Sequence, residues 1–156
     1  MKNLTSLLQS YSDTTVAVSP NGWNAFERLL ASRRPTRIAA FTGEQSADRS
    51  GLWNDFETRC QGIDLHRFRA IPPEPDLECV KRLIAFLHDC RADIVVALGG
   101  GSVMDAAKAA YLSAQTGVSV ESFFGVNQYS GKNSRHLDTV VCFPTTSGTG
   151  SEVTPY

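Results

Sequence analysis

No stretch of this sequence approaches the ~18 consecutive apolar residues that a membrane-spanning helix needs, so no membrane partner is expected. An excess of one charge is also missing. Fifteen Lys and Arg stand against sixteen Asp and Glu, for a net charge of −1. A grip on nucleic acid or on an anionic surface needs a basic excess, so neither is expected. The first ten residues carry Leu4, Leu7 and Leu8 scattered among polar residues, without the continuous apolar core of a secretory leader. Cysteine is sparse, at Cys60, Cys79, Cys90 and Cys142, and no two form a Cys-x-x-Cys pair. A disulfide framework or a cysteine zinc site is therefore not read; four reduced thiols in a cytoplasmic protein are. The three histidines, His66, His88 and His136, include no i, i+4 pair, so no metal site is assigned to this chain. There is also no Ser-His-Asp order and no recognisable pair of catalytic carboxylates, so no catalytic residue is assigned.

What the chain does contain is strand followed by helix, repeated. Short β-branched or apolar runs at residues 14–19, 36–42, 65–71, 93–98 and 138–143 read as strands. Residues 22–32, 46–60, 76–90 and 102–115 read as helices. In the third, Leu77, Val80, Ile84 and Leu87 make one apolar stripe. Residues 93–98 (DIVVAL) are almost wholly apolar, as in a parallel strand covered on both faces. Residues 125–136 are polar and without period, and read as a loop. The pattern predicts one α/β domain over residues 1–156, a doubly wound, mostly parallel sheet with helices on both faces. Such Rossmann-like sheets bind ligands at the carboxyl ends of their strands.

Two strand ends carry unusual loops. The strand at 93–98 runs into Gly99-Gly100-Gly101-Ser102 and then into an Ala-rich helix. Glycines let a ligand approach the backbone, and a helix N-terminus offers unpaired N–H groups and the positive end of its dipole, so the segment reads as a phosphate loop. A plainer reading is a tight turn with Ser102 as N-cap and Asp105 completing a capping box. Two better-known phosphate patterns fail: G-x-G-x-x-G would need glycine where Met104 stands, and the P-loop Gly-Lys-Ser/Thr is absent. The second loop, Pro144-Thr145-Thr146-Ser147-Gly148-Thr149-Gly150-Ser151-Glu152, is dense in hydroxyls that can donate to phosphate or ribose oxygens. Its plain reading is a Ser/Thr/Gly turn, with residues 149–152 as a further capping box.

The segments GGGSVMDAAKA and FPTTSGTGSEVT together resemble the paired signature of the iron-containing (group III) alcohol dehydrogenases. The resemblance runs from about Gly22 to the end of the chain. It implies a nucleotide-binding N-terminal domain using NAD or NADP, in which Gly100, Gly101 and Ser102 hold the pyrophosphate. It places Asp105 beside the nicotinamide part of the site. Thr145, Thr146, Thr149 and Ser151 then line the cofactor on its adenine and ribose-phosphate side. In such enzymes a hydride passes between the nicotinamide and the carbon of a small primary alcohol or aldehyde, whose oxygen a divalent metal, Fe²⁺ or Zn²⁺, polarises. The family's metal ligands, one Asp and three His, belong to a helical C-terminal domain that this chain is expected to lack. Members form dimers or larger assemblies, so a homodimer is expected.

Two positions depart from the pattern. Many NAD-using members carry Asp after the second strand, where a carboxylate binds the ribose 2′-OH; here Gly43 stands there, followed by Glu44. Loss of that carboxylate removes repulsion against a 2′-phosphate and tilts the reading toward NADP(H). An Asn often precedes the proline at 75, and here it is Glu74. Two other functions stay open: a stand-alone, non-catalytic dinucleotide-binding module, and a flavodoxin-like domain whose glycine loop takes an unrelated phosphate.

Overall fold

The computed structural model describes residues 22–123 and 140–151, together with Thr15 and Ala17. The expected strand at 14–19, apart from those two residues, and the expected loop at 125–136 lie outside the described residues.

The described elements follow the expected alternation. Helix α1 (Gly22–Arg33) leads into β1 (Arg37–Gly43), then α2 (Ser46–Arg49), α3 (Leu52–Arg59) and β2 (Asp64–Ile71). Helix α4 (Leu77–Cys90), β3 (Ile94–Gly99), α5 (Gly101–Thr116), a 3₁₀ turn (Val120–Phe123) and β4 (Val140–Pro144) complete it. The single helix expected over 46–60 is two. Gly51 takes φ +77°, a left-handed conformation that ends one helical segment and starts the next, and that a side chain would strain. Asp76 is the N-cap of α4 rather than its first residue; its carboxylate accepts the N–H of Cys79 at 2.7 Å.

The four strands pair in the order β2-β1-β3-β4, all parallel. Alternation along each strand sends side chains to two separate cores. Ala39, Phe41, Val95 and Ala97 face Cys79, Leu83 and Leu87 of α4 and Met104 and Ala107 of α5. Ile38, Ala40, Val96 and Leu98 face Phe26 of α1 and Trp53 and Phe56 of α3. Both faces of β1 and β3 are thereby covered, which is why these strands contain almost no polar residue. The small side chains of Ala106, Ala107 and Ala110 are buried, and α5 lies against both β3 and α4. Three cysteines serve these cores: Cys60, Cys79 and Cys90 are buried and free, and burial pushes the Cys60 thiol up to about 11. No helix of the described residues is long and apolar enough to cross a membrane.

At the amino ends of the strands, Asp93 ties β1 to β3. One of its oxygens accepts the backbone N–H of Thr36 at 2.7 Å, the Thr36 hydroxyl at 2.9 Å and the N–H of Arg37 at 3.0 Å. The Arg37 N–H first, then that of Thr36, hold this carboxyl below the usual carboxylate range. Because the folded value is the lower one, the stabilisation is complete above the unfolded value of about 3.9 and is lost as pH falls through the folded value. Urea midpoints between pH 7 and pH 2 should therefore decline in acid, and Asp93→Asn should be less stable at neutral pH with a shallower acid decline. Parallel curves for both proteins would show that Asp93 carries none of this dependence.

Candidate cofactor site

Strand order sets where a ligand can sit. The chain runs from β1 to β2 on one side, then crosses to β3 on the other, so the switch point lies between the carboxyl ends of β1 and β3. Gly43 ends β1, and Gly99 ends β3 immediately before the glycine loop. The two ends are adjacent: a Cβ at Gly43 would lie 3.6 Å from a methyl of Val103, in the first turn of α5.

Side chains at the three glycines would be crowded, most of all at Gly99. A Cβ at Gly99 would come within 2.6 Å of a Val103 methyl, closer than real contacts allow. One at Gly100 would meet the Thr146 hydroxyl at 3.1 Å, and one at Gly101 the Ser151 hydroxyl at 3.0 Å and Thr149 at 3.3 Å. The glycine loop and the hydroxyl loop therefore pack directly on each other. The Thr145 N–H donates to the Gly99 carbonyl at 2.9 Å, extending the pairing of β3 and β4 by one bond.

The capping reading of the first loop is overturned. Gly100, not Ser102, is the N-cap of α5, and no side chain caps the helix. Ser102 instead accepts the backbone N–H of Glu74 at 3.2 Å, which ties the proline-rich segment after β2 to the glycine loop. Glu74 takes φ +50°, the left-handed region that Asn tolerates better than Glu. Nor does Asp105 fold back on the helix start. It accepts the Ser151 hydroxyl at 3.0 Å and pairs with Lys108 at 3.1 Å. Lys108, whose side chain is largely buried, also donates to the Ser151 carbonyl at 2.8 Å. The N-terminus of this sixteen-residue helix is left without a side-chain cap.

The sequence motifs thus come together. Gly100 lies against Thr146 and Gly101 against Thr149 and the buried Ser151, Ser102 bonds to Glu74, and Asp105 holds Ser151. Thr145 Oγ1 is buried without a hydrogen-bond partner among the described residues. Glu152 lies outside the described residues. Lys108 was missed in sequence, although its i, i+3 spacing from Asp105 was legible. A second cluster had no local signal. At the end of β1, Arg67 forks onto Asp48 at 3.0 and 2.7 Å, donates to the buried Thr42 hydroxyl at 3.1 Å and stacks 3.9 Å over the Trp53 ring. Its hydrogen bond first, and its charge, hold the Asp48 carboxyl below the usual carboxylate range against the opposing effect of burial.

Among the described residues no three of His, Cys, Asp and Glu converge as metal ligands. His66 pairs with Asp64 at 3.0 Å, and His136 lies outside the described residues. A cavity of about 390 Å³, lined by Arg33, Arg34, Thr36, Asp93, Tyr111 and Gln115 among others, opens at the amino ends of β1 and β3. That is the opposite end of the sheet from both loops.

Known proteins share this chain's sequence and fold. A long-chain-alcohol dehydrogenase of Geobacillus thermodenitrificans is 38% identical over 137 residues, covering 85% of this chain and 34% of that protein. An iron-containing alcohol dehydrogenase from Thermotoga maritima superimposes with a TM-score of 0.71 at 30% identity, over 85% of this chain and 36% of that one. A sulfoacetaldehyde reductase from Bifidobacterium kashiwanohense, solved in complex with NAD⁺, does so with a TM-score of 0.70 at 27% identity, over 88% and 35%. The chain thus spans about a third of the length of these relatives. The family model for iron-containing alcohol dehydrogenases matches residues 14–156, and the chain belongs to that family.

Proposed function

We propose that this chain is the dinucleotide-binding domain of a metal-dependent alcohol dehydrogenase or aldehyde reductase, and that it holds NADP(H) in preference to NAD(H). The observation that carries the reading is the closure of two ligand-type loops on each other at the carboxyl ends of β3 and β4, with Thr145 Oγ1 buried and unpartnered beside them. Gly100, Gly101 and Ser102 cradle the pyrophosphate with the free N–H groups of α5. Having accepted the Glu74 N–H, the Ser102 hydroxyl keeps its own proton to donate to a phosphate oxygen. Thr145, Thr146, Thr149 and Ser151 line the cofactor, and Asp105 lies beside its nicotinamide part while holding the second loop to α5. When bound, the nicotinamide supplies or accepts the hydride exchanged with a primary alcohol or aldehyde.

The described residues do not fit a metal site, so no step through a metal is assigned to them. The metal is proposed to be held by residues other than the described ones, which by themselves are proposed to bind dinucleotide without turnover. The same observation favours a second reading, a non-catalytic dinucleotide module. Turnover on adding Fe²⁺ or Zn²⁺ to the purified chain would contradict both.

Titration with NADH and with NADPH, read by nicotinamide fluorescence and melting temperature, tests the proposal. Saturation by NADPH, with stabilisation of about 2.7 kcal/mol at a hundredfold excess over Kd, is expected. Failure of both nucleotides to bind, or binding no tighter than that of inorganic phosphate, overturns it.

A further inference from the structure

We infer that Arg69 is the residue that holds the 2′-phosphate of NADP(H), on a site formed by the end of β1, the start of α2 and the second half of β2. The inference rests on the cofactor reading above. A dinucleotide whose pyrophosphate lies at the N-terminus of α5 has the end of β1 beside it, because Gly43 and Val103 are neighbours. At Gly43 there is no carboxylate to accept a ribose hydroxyl. The Ser46 hydroxyl stands 3.6 Å from where a Cβ there would be.

On the neighbouring strand, Ile71 is the register partner of Gly43, and Arg69 lies two residues before it. Arg67 and Arg69 point to the same face and converge on one carboxylate, that of Asp48. Their roles differ sharply. Arg67 has a 16% exposed side chain and commits its fork to Asp48 and its Nε–H to Thr42, with Trp53 beneath. Arg69 is 60% exposed and reaches Asp48 with a single Nη2 at 3.3 Å. Two guanidiniums sharing one carboxylate leave one positive charge uncompensated, and it resides on the exposed side chain. A guanidinium fork matches a phosphate dianion in both charge and geometry. Arg67 and Asp48 serve as the platform: the bidentate pair, fixed to Thr42 and Trp53, holds Asp48 where it steadies Arg69 beside the β1 end. The exposed Glu44, next to Gly43, is the competing feature, since its carboxylate would suit a ribose hydroxyl and repel a phosphate.

The test measures dissociation constants for NADPH and NADH with the wild-type chain, Arg69→Ala, Arg69→Lys and Glu44→Gln, with 2′,5′-ADP as a competitor carrying the phosphate without the nicotinamide. Arg69→Ala should weaken NADPH about 30-fold, the size of effect typical of charge-assisted hydrogen bonds, and leave NADH within about twofold. Arg69→Lys should recover part of the loss, and 2′,5′-ADP should displace NADPH from the wild type at lower concentration than 5′-AMP does. Since Arg69 is exposed, the melting temperature of the ligand-free variant should not move. The inference is overturned if Arg69→Ala weakens both nucleotides equally, or if the wild type binds NADH as tightly as NADPH and Glu44→Gln selectively weakens NADH. Binding of neither nucleotide to the wild type overturns the cofactor reading itself, and this inference with it.

Discussion

Gly101→Asp should lower the affinity for NADPH at least about 100-fold, close to 2.8 kcal/mol, while leaving the chain folded. Three effects combine. The new Cβ would stand 3.0 Å from the Ser151 hydroxyl and 3.3 Å from Thr149, so the second loop must shift away from the first. The added carboxylate would occupy the N-terminus of α5, where the pyrophosphate is proposed to bind, and repel it. The same carboxylate interacts favourably with the helix dipole by ~0.3–1 kcal/mol, which offsets part of the steric cost and keeps the protein folded. Gly101→Ala separates the effects, since it adds the Cβ without the charge and should lose only about tenfold. Fluorescence titration and a urea melt of each variant provide the check. Unchanged NADPH affinity in Gly101→Asp would mean that the pyrophosphate does not lie at this helix start.

The largest expected effect on stability is at Phe56. Its ring is fully buried and lies 5.4 Å from Phe26 of α1, 5.7 Å from Trp53 of α3 and 6.3 Å from Phe143 of β4. It is the point at which α1, α3 and the last strand share one core. Phe56→Ala should cost about 3–5 kcal/mol, from lost burial and from a cavity that these three rigid elements cannot collapse into. Against a typical total of ~5–15 kcal/mol, that is a large fraction. For a chain of this size it corresponds to a fall in melting temperature of about 12 °C. Phe56→Leu should cost roughly half as much. A change below about 1 kcal/mol in the urea midpoint analysis would show that the second core is not cooperative with the rest. Because β4 leads straight into the hydroxyl loop, Phe56→Ala should also weaken nucleotide binding at temperatures where the chain is still folded.

The sequence by itself determined the alternation of strand and helix, because period-3.6 stripes such as Leu77, Val80, Ile84 and Leu87 and unbroken apolar runs such as residues 94–98 are local records of burial. It also determined the family, since both loops are contiguous motifs whose chemistry sits in adjacent residues. Ends of elements were less secure. Gly51 divides a segment that reads as one helix, because a left-handed φ is a backbone property that the apolar spacing around it does not reveal. The capping reading of Ser102 and Asp105 failed for a different reason. Local spacing offers each side chain a local partner, and tertiary packing offered better ones, the Glu74 N–H from the segment after β2 and the Ser151 hydroxyl from the loop after β4. Strand order, and with it the meeting of Gly43, Val103 and the glycine loop, was decided by the fold alone. So was the convergence of Arg67 and Arg69 on Asp48, residues 19 and 21 positions apart in the chain. Parallel strands must be joined through crossovers, so the residues that finally share a site at their ends come from segments with no short-range relation to one another.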